Sequence, residues 1–279
     1  ELDGALARAG MIARLYPSQT NEACRDGINA GSIAFDDIHI SHLPQRIDYG
    51  FFGPIDVAIL EAAALYDDGR LVPTTSVGIS PTLAANARSI IVELNAAMPR
   101  ELEGLHDIYR PSRPPERTPI PLVRPSDRIG EPFIRLDPAR ISAVVLTELG
   151  DDVRPLAPVG SSHARMAENF LAFLEEEIAA GRMPEGLLPL QSGVGSVANA
   201  VLAGFLHSRH RGLRIYSEVI QDSVLDLIDS GVVSFVSGCS VTPSPDGLRR
   251  FLGGLEGYKR RMTLRPQEIS NHPEIIRRL

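Results

Sequence analysis

The sequence predicts an α/β protein built on open, largely parallel β-sheets. Three largely apolar runs, IDVAIL at 55–60, SIIVEL at 89–94 and ISAVVL at 141–146, are predicted as strands, and the first and third are typical of buried ones. Helical patterns alternate with these strands, and such alternation favours parallel pairing. A strand, a glycine turn, a helix, a second strand and a second helix then follow within Leu187–Gly231.

Composition and charge limit the kinds of protein that this chain can be. Its 279 residues are enough for one large or two ordinary domains, and 43% hydrophobic with 23% charged residues is typical of a soluble globular protein. No apolar run approaches the ~20 residues of a membrane span. The net charge of −7 argues against a nucleic-acid-binding surface. Cys24 and Cys239 are too few for a disulfide framework or a zinc site, and they fit a reducing cytoplasm.

The first half of the chain carries weaker signals, which predict short elements. Gly31 is a stop signal for the helix before it, and Ser80 before Pro81 is typical of an N-cap followed by proline at the first helical position. Eight prolines at 111–138 exclude regular structure there, which indicates a surface connection. The predicted short elements are helices at Ala7–Tyr16 and Asn21–Ala30 and strands at Ile38–Ile40 and Leu71–Pro73.

A long predicted helix at Ser161–Ala180 connects two predicted domains. Its apolar residues recur at helical spacing along one face, and acidic residues follow beyond them. The apolar face consists of Met166, Phe170, Phe173 and Leu174. We therefore predict an N-terminal domain at 1–160, which contains the proline-rich loop 111–138, a connecting helix at 161–183, and a second domain at 184–279.

The stretch Leu187–Gly231 places a carboxylate and a glycine turn at one edge of the predicted sheet. Gly193 and Gly195 follow the first strand, and Glu218 stands at the C-terminal end of the second. Ligands of open α/β sheets bind at this edge, where the first turn of a helix also leaves N–H groups free. The predicted elements are strands at Leu187–Leu190 and Leu213–Tyr216 and helices at Ser196–Phe205 and Asp222–Ile228.

One interpretation of this stretch is a dinucleotide site. GVGSVA, which contains Gly193-Val194-Gly195, matches G-x-G-x-x-A, and Glu218 follows at about the 20-residue spacing of a ribose-binding acid. This pattern would indicate an NAD-binding oxidoreductase. Pro189 and Gln191 argue against it, because they interrupt what should be a continuous buried strand.

Several further reactive side chains have structural interpretations. His39 and His42 lack acidic or thiol partners at metal-ligand spacing and are interpreted as strand-end or loop residues. The segment HSRHRG at 207–212 is typical of a solvated loop. Ser192 does not stand in a G-x-S-x-G nucleophile elbow, and Cys239 is interpreted as a small buried side chain.

Several long segments of the chain together resemble one known family. They are DGINAGSIAFDDIHISHLPQ, YGFFGPIDVAILEA, VPTTSVGISPT, ELEGLHDIY, PIPLVRPSDRIG, LLPLQSGVGSVANAVLAG, YSEVIQDSVLDLIDSG and LRPQEISNHPEIIRRL, which in this order cover nearly the whole chain. The chain resembles the acetyl-CoA hydrolase/transferase family, which includes succinyl-CoA:acetate and propionyl-CoA:succinate CoA-transferases. The resemblance implies two open-sheet α/β domains of the CoA-transferase type. The second would be incomplete, because family members continue with a further glycine-rich segment and more sheet.

The resemblance also implies roles for individual residues. The family nucleophile is the glutamate that matches Glu218, which would attack the thioester to give a mixed anhydride and then a glutamyl-CoA thioester. The Val194 amide would be one oxyanion donor, while the second would come from the downstream glycine-rich segment. Asn271 matches an asparagine near the acyl or carboxylate group. The implied CoA contacts are Gly193, Gly195 and Arg154, and Arg128 is a further candidate.

These implications lead to an expected function, for which three competing possibilities exist. The expected protein is a CoA-transferase that moves CoA from an acyl-CoA to a small carboxylate, and a close variant is an acyl-CoA hydrolase with water as the acceptor. The two more distant possibilities are the NAD-binding oxidoreductase and a non-catalytic binding domain. No metal and no permanently bound cofactor are expected, because coenzyme A enters as a thioester substrate. The expected assembly is a cytoplasmic homodimer, or a mitochondrial one in a eukaryote, without nucleic-acid or membrane partners.

Overall fold

Short helices and strands alternate along the chain in the computed structural model, which describes residues 2–16, 21–151 and 160–279. Arg154, a predicted CoA contact, lies outside these residues. The helices are α1 (Leu2–Arg8), α2 (Glu22–Asn29), α3 (Leu43–Asp48), α4 (Ser80–Asn86), α5 (Ser161–Ala179), α6 (Ser196–Gly204), α7 (Asp222–Asp229), α8 (Pro245–Gly253), α9 (Leu255–Lys259), α10 (Gln267–Ser270) and α11 (Pro273–Arg278). The strands are β1 (Arg14–Leu15), β2 (Ala34–Phe35), β3 (Ile55–Ala62), β4 (Ala64–Leu65), β5 (Arg70–Val72), β6 (Ala87–Asn95), β7 (Ile134–Arg135), β8 (Ile141–Thr147), β9 (Leu213–Tyr216), β10 (Val219–Ile220), β11 (Val233–Gly238), β12 (Ser240–Val241) and β13 (Met262–Leu264).

The three apolar runs of the first half form one parallel sheet in the order β3–β6–β8. Leu60 pairs with Val92, which in turn pairs with Val144. Helix α4 packs on one face, where it forms a core with inward side chains of β3 and β6. The three predicted strands and their parallel pairing are therefore confirmed.

The burial predicted for these strands is wrong on the second face of the sheet. Side chains alternate along a strand, so that Leu60 points into the core while Val57 and Ile59, each 51% exposed, point away from it. Strand β8 is open along most of its length, and its Leu146 is 74% exposed. Among the described residues, only the α4 side of the sheet is covered.

A second parallel sheet, in the order β13–β11–β9, forms in the second half of the chain. The largest core cluster combines its strands and helices α7 and α8 with apolar residues from the first half, among them Val72, Val77, Leu102 and Leu105. The two α/β units thus share a core, and the division into domains at 160 and 184 stays a prediction.

Most predicted elements around the second sheet are confirmed, and so are several short elements of the first half. Helix α2 begins after the N-cap Asn21 and ends before Gly31, whose φ is +75°. Helix α4 also starts as predicted, but Ile79 is its cap residue and Ser80 is already helical. Five further elements are confirmed, namely β5, α5, α6, β9 and α7.

Three predicted elements are wrong, each because the local backbone turns. The helix predicted at Ala7–Tyr16 has ended by Gly10, where φ is +67°, and the chain continues into β1. Ile38–Ile40 is not a strand, because a 3₁₀ turn at Ile40–His42 leads directly into α3. The strand predicted at Leu187–Leu190 is reduced to one bridge between Leu190 and Ile215, since Leu187 has φ of +53°.

The proline-rich loop 111–138 is irregular, as predicted, apart from β7. It is more than a surface connection, because its Ile120 and Leu122 are buried in a core cluster. Buried Arg265 donates to the Pro125 and Asp127 carbonyls of this loop and pairs with buried Asp107. The loop is therefore fastened to the end of β13.

Helix α5 is the predicted connecting helix, but most of its apolar face is open. Leu174 is 4% exposed, whereas Met166 and Phe173 are each 50% exposed. The HSRHRG segment after α6 also differs from the prediction, because His210 is buried, with its Nε2 3.0 Å from Glu175 Oε1. This segment therefore packs on α5 and is only partly a solvated loop.

Candidate active site

Glu218 lies between β9 and β10, at the carboxyl edge of the second sheet. Its main-chain oxygen accepts hydrogen bonds from the Cys239 N–H at 2.7 Å and the Ser240 N–H at 3.1 Å. Cys239 is buried, which confirms its structural interpretation, and burial raises the pKa of its thiol to about 12. The chain that follows β11 therefore holds the backbone of Glu218 in place.

A loop from the first half of the chain supports the segment after β11 that binds the Glu218 backbone. The Val77 N–H donates to the Cys239 oxygen at 3.0 Å, and the Val241 N–H donates to the Thr75 oxygen at 2.8 Å. The same loop reaches α10, where the Gln267 N–H donates to the Gly78 oxygen at 2.9 Å. Residues 75–78 thus hold both the segment after β11 that binds the Glu218 backbone and the start of α10.

The Glu218 carboxylate is half-buried and is held on one side only. Its Oε1 accepts a hydrogen bond from Gln267 Nε2 at 2.8 Å. Its Oε2 has no hydrogen-bond partner within the described part of the chain. One carboxylate oxygen is therefore oriented, while the second is free to contact a ligand.

The glycine turn lies beside Glu218 because β9 and the turn are bonded together. Ser217 Oγ donates to the Ser192 oxygen at 2.8 Å, and the Tyr216 N–H donates to the Leu190 oxygen at 2.9 Å. Gly195, with φ of +137°, then directs the chain into α6, and residues with a side chain rarely adopt this backbone conformation. The Val194 N–H makes no hydrogen bond to any described residue.

A cavity of about 440 Å³ is formed where the turn and the strand end meet. Its lining consists of Gln191, Ser192, Gly193, Val194, Glu218 and Val219. The structure thus brings together the carboxylate and the backbone turn that the sequence places at one sheet edge. A carboxylate with one free oxygen beside unpaired amides can act as a nucleophile on a carbonyl compound.

Besides Gly195, two more predicted site residues lie outside this cavity lining. Asn271 follows α10, and its Nδ2 donates to the Gln267 main-chain oxygen at 3.2 Å, so it stands behind the residue that contacts Glu218. Arg128 is half-buried, and its guanidinium donates to the main-chain oxygens of His106 at 2.9 Å and Met262 at 3.4 Å. Arg128 therefore joins the proline-rich loop to β13.

Sequence reasoning missed Gln267 and the supporting loop 75–78. Gln267 is 49 residues from Glu218, and no spacing rule connects positions so far apart. Both lie in segments that carry the family resemblance, LRPQEISNHP and VPTTSVG, which is the one signal that could have identified them.

The described residues contain no group of three or more histidine, cysteine, aspartate or glutamate side chains placed to hold a metal ion. In the same part of the chain, no helix has both the length and the apolar character that a membrane crossing requires.

Comparison with solved structures identifies the fold as that of CoA-transferases. A 4-hydroxybutyrate CoA-transferase from Porphyromonas gingivalis has a TM-score of 0.61 at 17% identity over 98% of this chain and 61% of that one. RipA from Yersinia pestis has a TM-score of 0.64 at 18% identity over 97% of this chain and 56% of that one. At these identities the likeness concerns the fold alone.

Comparison with sequences identifies the family. Residues 1–146 match the acetyl-CoA hydrolase/transferase N-terminal domain, and the chain belongs to the acetyl-CoA hydrolase/transferase family. This membership does not support the oxidoreductase interpretation of Gly193-Val194-Gly195.

Curated relatives match nearly the whole chain. A succinyl-CoA:acetate CoA-transferase from Clostridium kluyveri is 46% identical over all of this chain and 52% of its own length. An acetyl-CoA hydrolase from Schizosaccharomyces pombe is 43% identical over 98% of this chain and 53% of its length. A propanoyl-CoA:succinate CoA transferase from Escherichia coli is 41% identical over 99% of this chain and 56% of its length. The chain spans about half the length of these relatives.

Proposed function

We propose that the protein transfers CoA from an acyl-CoA to a small carboxylate through a glutamyl-CoA thioester on Glu218. The observation that carries this proposal is the Glu218 carboxylate, which has one free oxygen in a cavity beside the unpaired Val194 N–H. Relatives named as succinyl-CoA:acetate and propanoyl-CoA:succinate transferases support the choice of acyl-CoA and carboxylate as substrates.

In the first half-reaction the free oxygen of Glu218 attacks the thioester carbonyl. The tetrahedral intermediate places negative charge on the former carbonyl oxygen, and the Val194 N–H is the donor that we assign to it. The C–S bond then breaks, the CoA thiolate leaves, and a mixed anhydride joins the acyl group to Glu218. Gly195 contributes by holding the turn in a conformation that keeps the Val194 amide out of the helix.

In the second half-reaction the thiolate attacks the glutamyl carbonyl of this anhydride. The C–O bond to the attacking oxygen breaks, so that the acyl group leaves as a carboxylate and CoA stays on Glu218 as a thioester. An acceptor carboxylate runs the same steps in reverse. No atom changes its oxidation state in these steps, so the route needs no electron carrier.

The remaining predicted residues have supporting roles in this proposal. Gly193 and Gly195 allow the thioester to approach the turn, and Arg154 would contact CoA. Asn271 would act near the acyl or carboxylate group, as the family resemblance implies. Two copies of the complete protein would form the expected homodimer.

A second candidate function is hydrolysis of the acyl-CoA. Relatives named acetyl-CoA hydrolase at 43% identity favour it. The chemistry up to glutamyl-CoA is the same, and the outcome depends on whether water or a carboxylate reaches the thioester first. Free acid and CoA released without an added carboxylate would identify a hydrolase.

The test is the covalent intermediate in the complete natural protein. Acyl-CoA alone should add one CoA to Glu218, as measured by mass spectrometry of the peptide, and borohydride should trap it and inactivate the protein. Glu218→Gln should abolish the adduct and transfer, whereas Glu274→Gln, which changes an exposed ion pair with Arg277, should leave both intact. Transfer that persists in Glu218→Gln would refute the assignment, as would initial-rate lines that intersect instead of running parallel.

A further inference from the structure

Gln267 is the only described side chain that donates a hydrogen bond to the Glu218 carboxylate. We propose that its amide is an oxyanion donor for the carboxyl group of Glu218 itself. In this role it holds the glutamate oxygen that stays on the protein while the second oxygen reacts. This inference rests on the proposed function, because it concerns the intermediates that form on Glu218.

The two carboxylate oxygens of Glu218 are unequal in the structure. Oε1 lies 2.8 Å from Gln267 Nε2, a normal length for an N–H···O hydrogen bond, and Oε2 has no partner in the described ranges. Glu218 lines the cavity, and its Oε2 is the oxygen that no described donor occupies, so we assign Oε2 to the attack on a bound thioester. The hydrogen bond thus selects which oxygen attacks.

The main chain of Gln267 is held from two sides, which fixes the point from which its side chain reaches Glu218. Its main-chain N–H donates to the Gly78 oxygen at 2.9 Å, and its main-chain oxygen accepts from the Asn271 N–H at 3.0 Å. Arg265, two residues earlier, is buried in an ion pair with Asp107. A donor that is fixed before the reaction needs little reorganisation when charge develops on its acceptor.

The fate of the two carboxylate oxygens shows where this donor acts. The attacking oxygen of Glu218 leaves with the first carboxylate product, while the oxygen on Gln267 remains as the carbonyl oxygen of the anhydride and of glutamyl-CoA. When the thiolate or the acceptor carboxylate adds to the glutamyl carbon, that carbonyl oxygen takes the negative charge. A fixed N–H donor strengthens as this charge forms.

The experiment removes this donor and measures how fast the CoA adduct on Glu218 forms and how fast it is consumed. Gln267→Met keeps the length of the side chain without its amide. Its matched control is Gln45→Met, which removes a different amide hydrogen bond, to the Tyr49 hydroxyl at 3.0 Å, outside the cavity lining. In the complete protein, rapid quenching with mass spectrometry follows the formation of the CoA adduct and its consumption by acetate.

We expect Gln267→Met to slow both steps by about 10²-fold, which is a typical loss for one oxyanion donor. Gln45→Met should stay within about twofold of the unchanged protein. Thermal unfolding of both variants, measured alongside, separates this loss from a loss of fold. Adduct formation and consumption at control rates in folded Gln267→Met would overturn the inference.

The pH profile of Gln267→Glu supplies a readout that a purely structural role would not change. At neutral pH the introduced carboxylate repels Glu218, and when the pair shares a proton the new group again becomes a donor. Transfer by Gln267→Glu should therefore rise relative to Gln267→Met as pH falls. A constant ratio of the two variants across pH would count against the role of Gln267.

Failure of the inference is distinguishable from failure of the proposed function. If the unchanged protein transfers CoA without an adduct on Glu218, the proposed function fails. If the adduct forms normally in both the unchanged protein and Gln267→Met, only the role of Gln267 fails.

Discussion

Both parallel sheets present glutamates near their carboxyl ends, but they treat them differently. In the first sheet, Glu61 Oε1 accepts from Asn95 Nδ2 at 2.7 Å and its Oε2 accepts from Thr74 Oγ1 at 3.1 Å. In the second sheet, Glu218 lines a cavity and accepts from Gln267 through one oxygen, while its second oxygen has no partner among the described residues. The same topology therefore gives a carboxylate with both oxygens hydrogen-bonded at the carboxyl edge of one sheet and a potential nucleophile at the carboxyl edge of the other.

The comparison shows that sheet topology alone does not define a site. The carboxyl edge of a parallel sheet provides a location for ligands. Whether a carboxylate at this edge can react depends on how many of its oxygens already accept hydrogen bonds from surrounding side chains. Thr74 and Asn95 fill both oxygens of Glu61, and Gln267 fills only one oxygen of Glu218.

The strongest test of this contrast is a matched pair of glutamate substitutions. Glu218→Gln removes the nucleophile, and we expect transfer in the complete protein to fall by about 10⁴-fold or more with little change in stability. Glu61→Gln disturbs hydrogen bonds that serve the structure, so it should lower the unfolding free energy by about 1 kcal/mol and leave turnover within about fivefold. Steady-state transfer and urea unfolding measure the two effects. Equal activity losses in the two variants would remove the distinction between the edges.

The next effect concerns the buried pair that fastens the proline-rich loop to the second sheet. Arg265→Met leaves the Asp107 carboxylate buried without its partner, and we expect a loss of about 3–5 kcal/mol in unfolding free energy. Arg135→Met, which breaks an exposed pair with Glu131, should cost less than about 1 kcal/mol. Urea unfolding midpoints test both. A small effect of Arg265→Met would show that the loop is held by different contacts.

The glycine turn gives a smaller effect on activity. Gly195→Val forces the backbone away from φ of +137° and displaces the Val194 N–H, for which we expect a loss of about 10²–10³ in kcat. Gly181→Val is the matched control, because Gly181 also has a positive φ of +70° and open space around it, but it follows α5 and is not part of the turn that lines the cavity. Both variants should lose similar stability, and only Gly195→Val should lose turnover. Similar kcat values for the two would refute the role of the turn.

The smallest effect is a pH dependence of stability that arises at His106, which joins the surroundings of Glu61 to the second sheet. His106 Nε2 lies 2.9 Å from the oxygen of Thr74, the residue that binds Glu61, and the His106 backbone pairs with Leu264 of β13. Burial lowers the pKa of His106 to about 4 from its ordinary 6.5. The folded protein therefore keeps this ring neutral, and its contribution to stability is complete above pH 6.5 and falls as the pH decreases towards 4.

This pH dependence can be measured as the difference in unfolding free energy between the unchanged protein and a variant without the His106 ring. Between neutral pH and pH 4 the unfolding free energy should fall by about 3 kcal/mol more in the unchanged protein than in His106→Gln, which has no titrating ring. His207→Gln, at an exposed histidine, should leave the dependence as it is. Parallel stability curves for the unchanged protein and His106→Gln would show that this histidine does not titrate across the unfolding transition.

The sequence by itself determined the elements whose signals are local. The apolar runs predict β3, β6 and β8, the small apolar residues after Gly195 predict α6, and the order of strand and helix places Glu218 at a strand end. Local patterns succeed here because strand and helix periods depend on neighbours within a few residues. The resemblance of long segments added the family, which the pattern of Gly193 and Gly195 alone leaves ambiguous.

Only the tertiary structure decided what depends on distant partners. The open face of β8 depends on which elements cover the sheet, and the attachment of the proline-rich loop depends on Arg265, more than a hundred residues away. The hydrogen bond from Gln267 to Glu218 has the same origin, since it forms only when the 75–78 loop holds the start of α10 beside β9. Residues far apart in the chain meet through packing, and no periodicity of the sequence encodes which of them will touch.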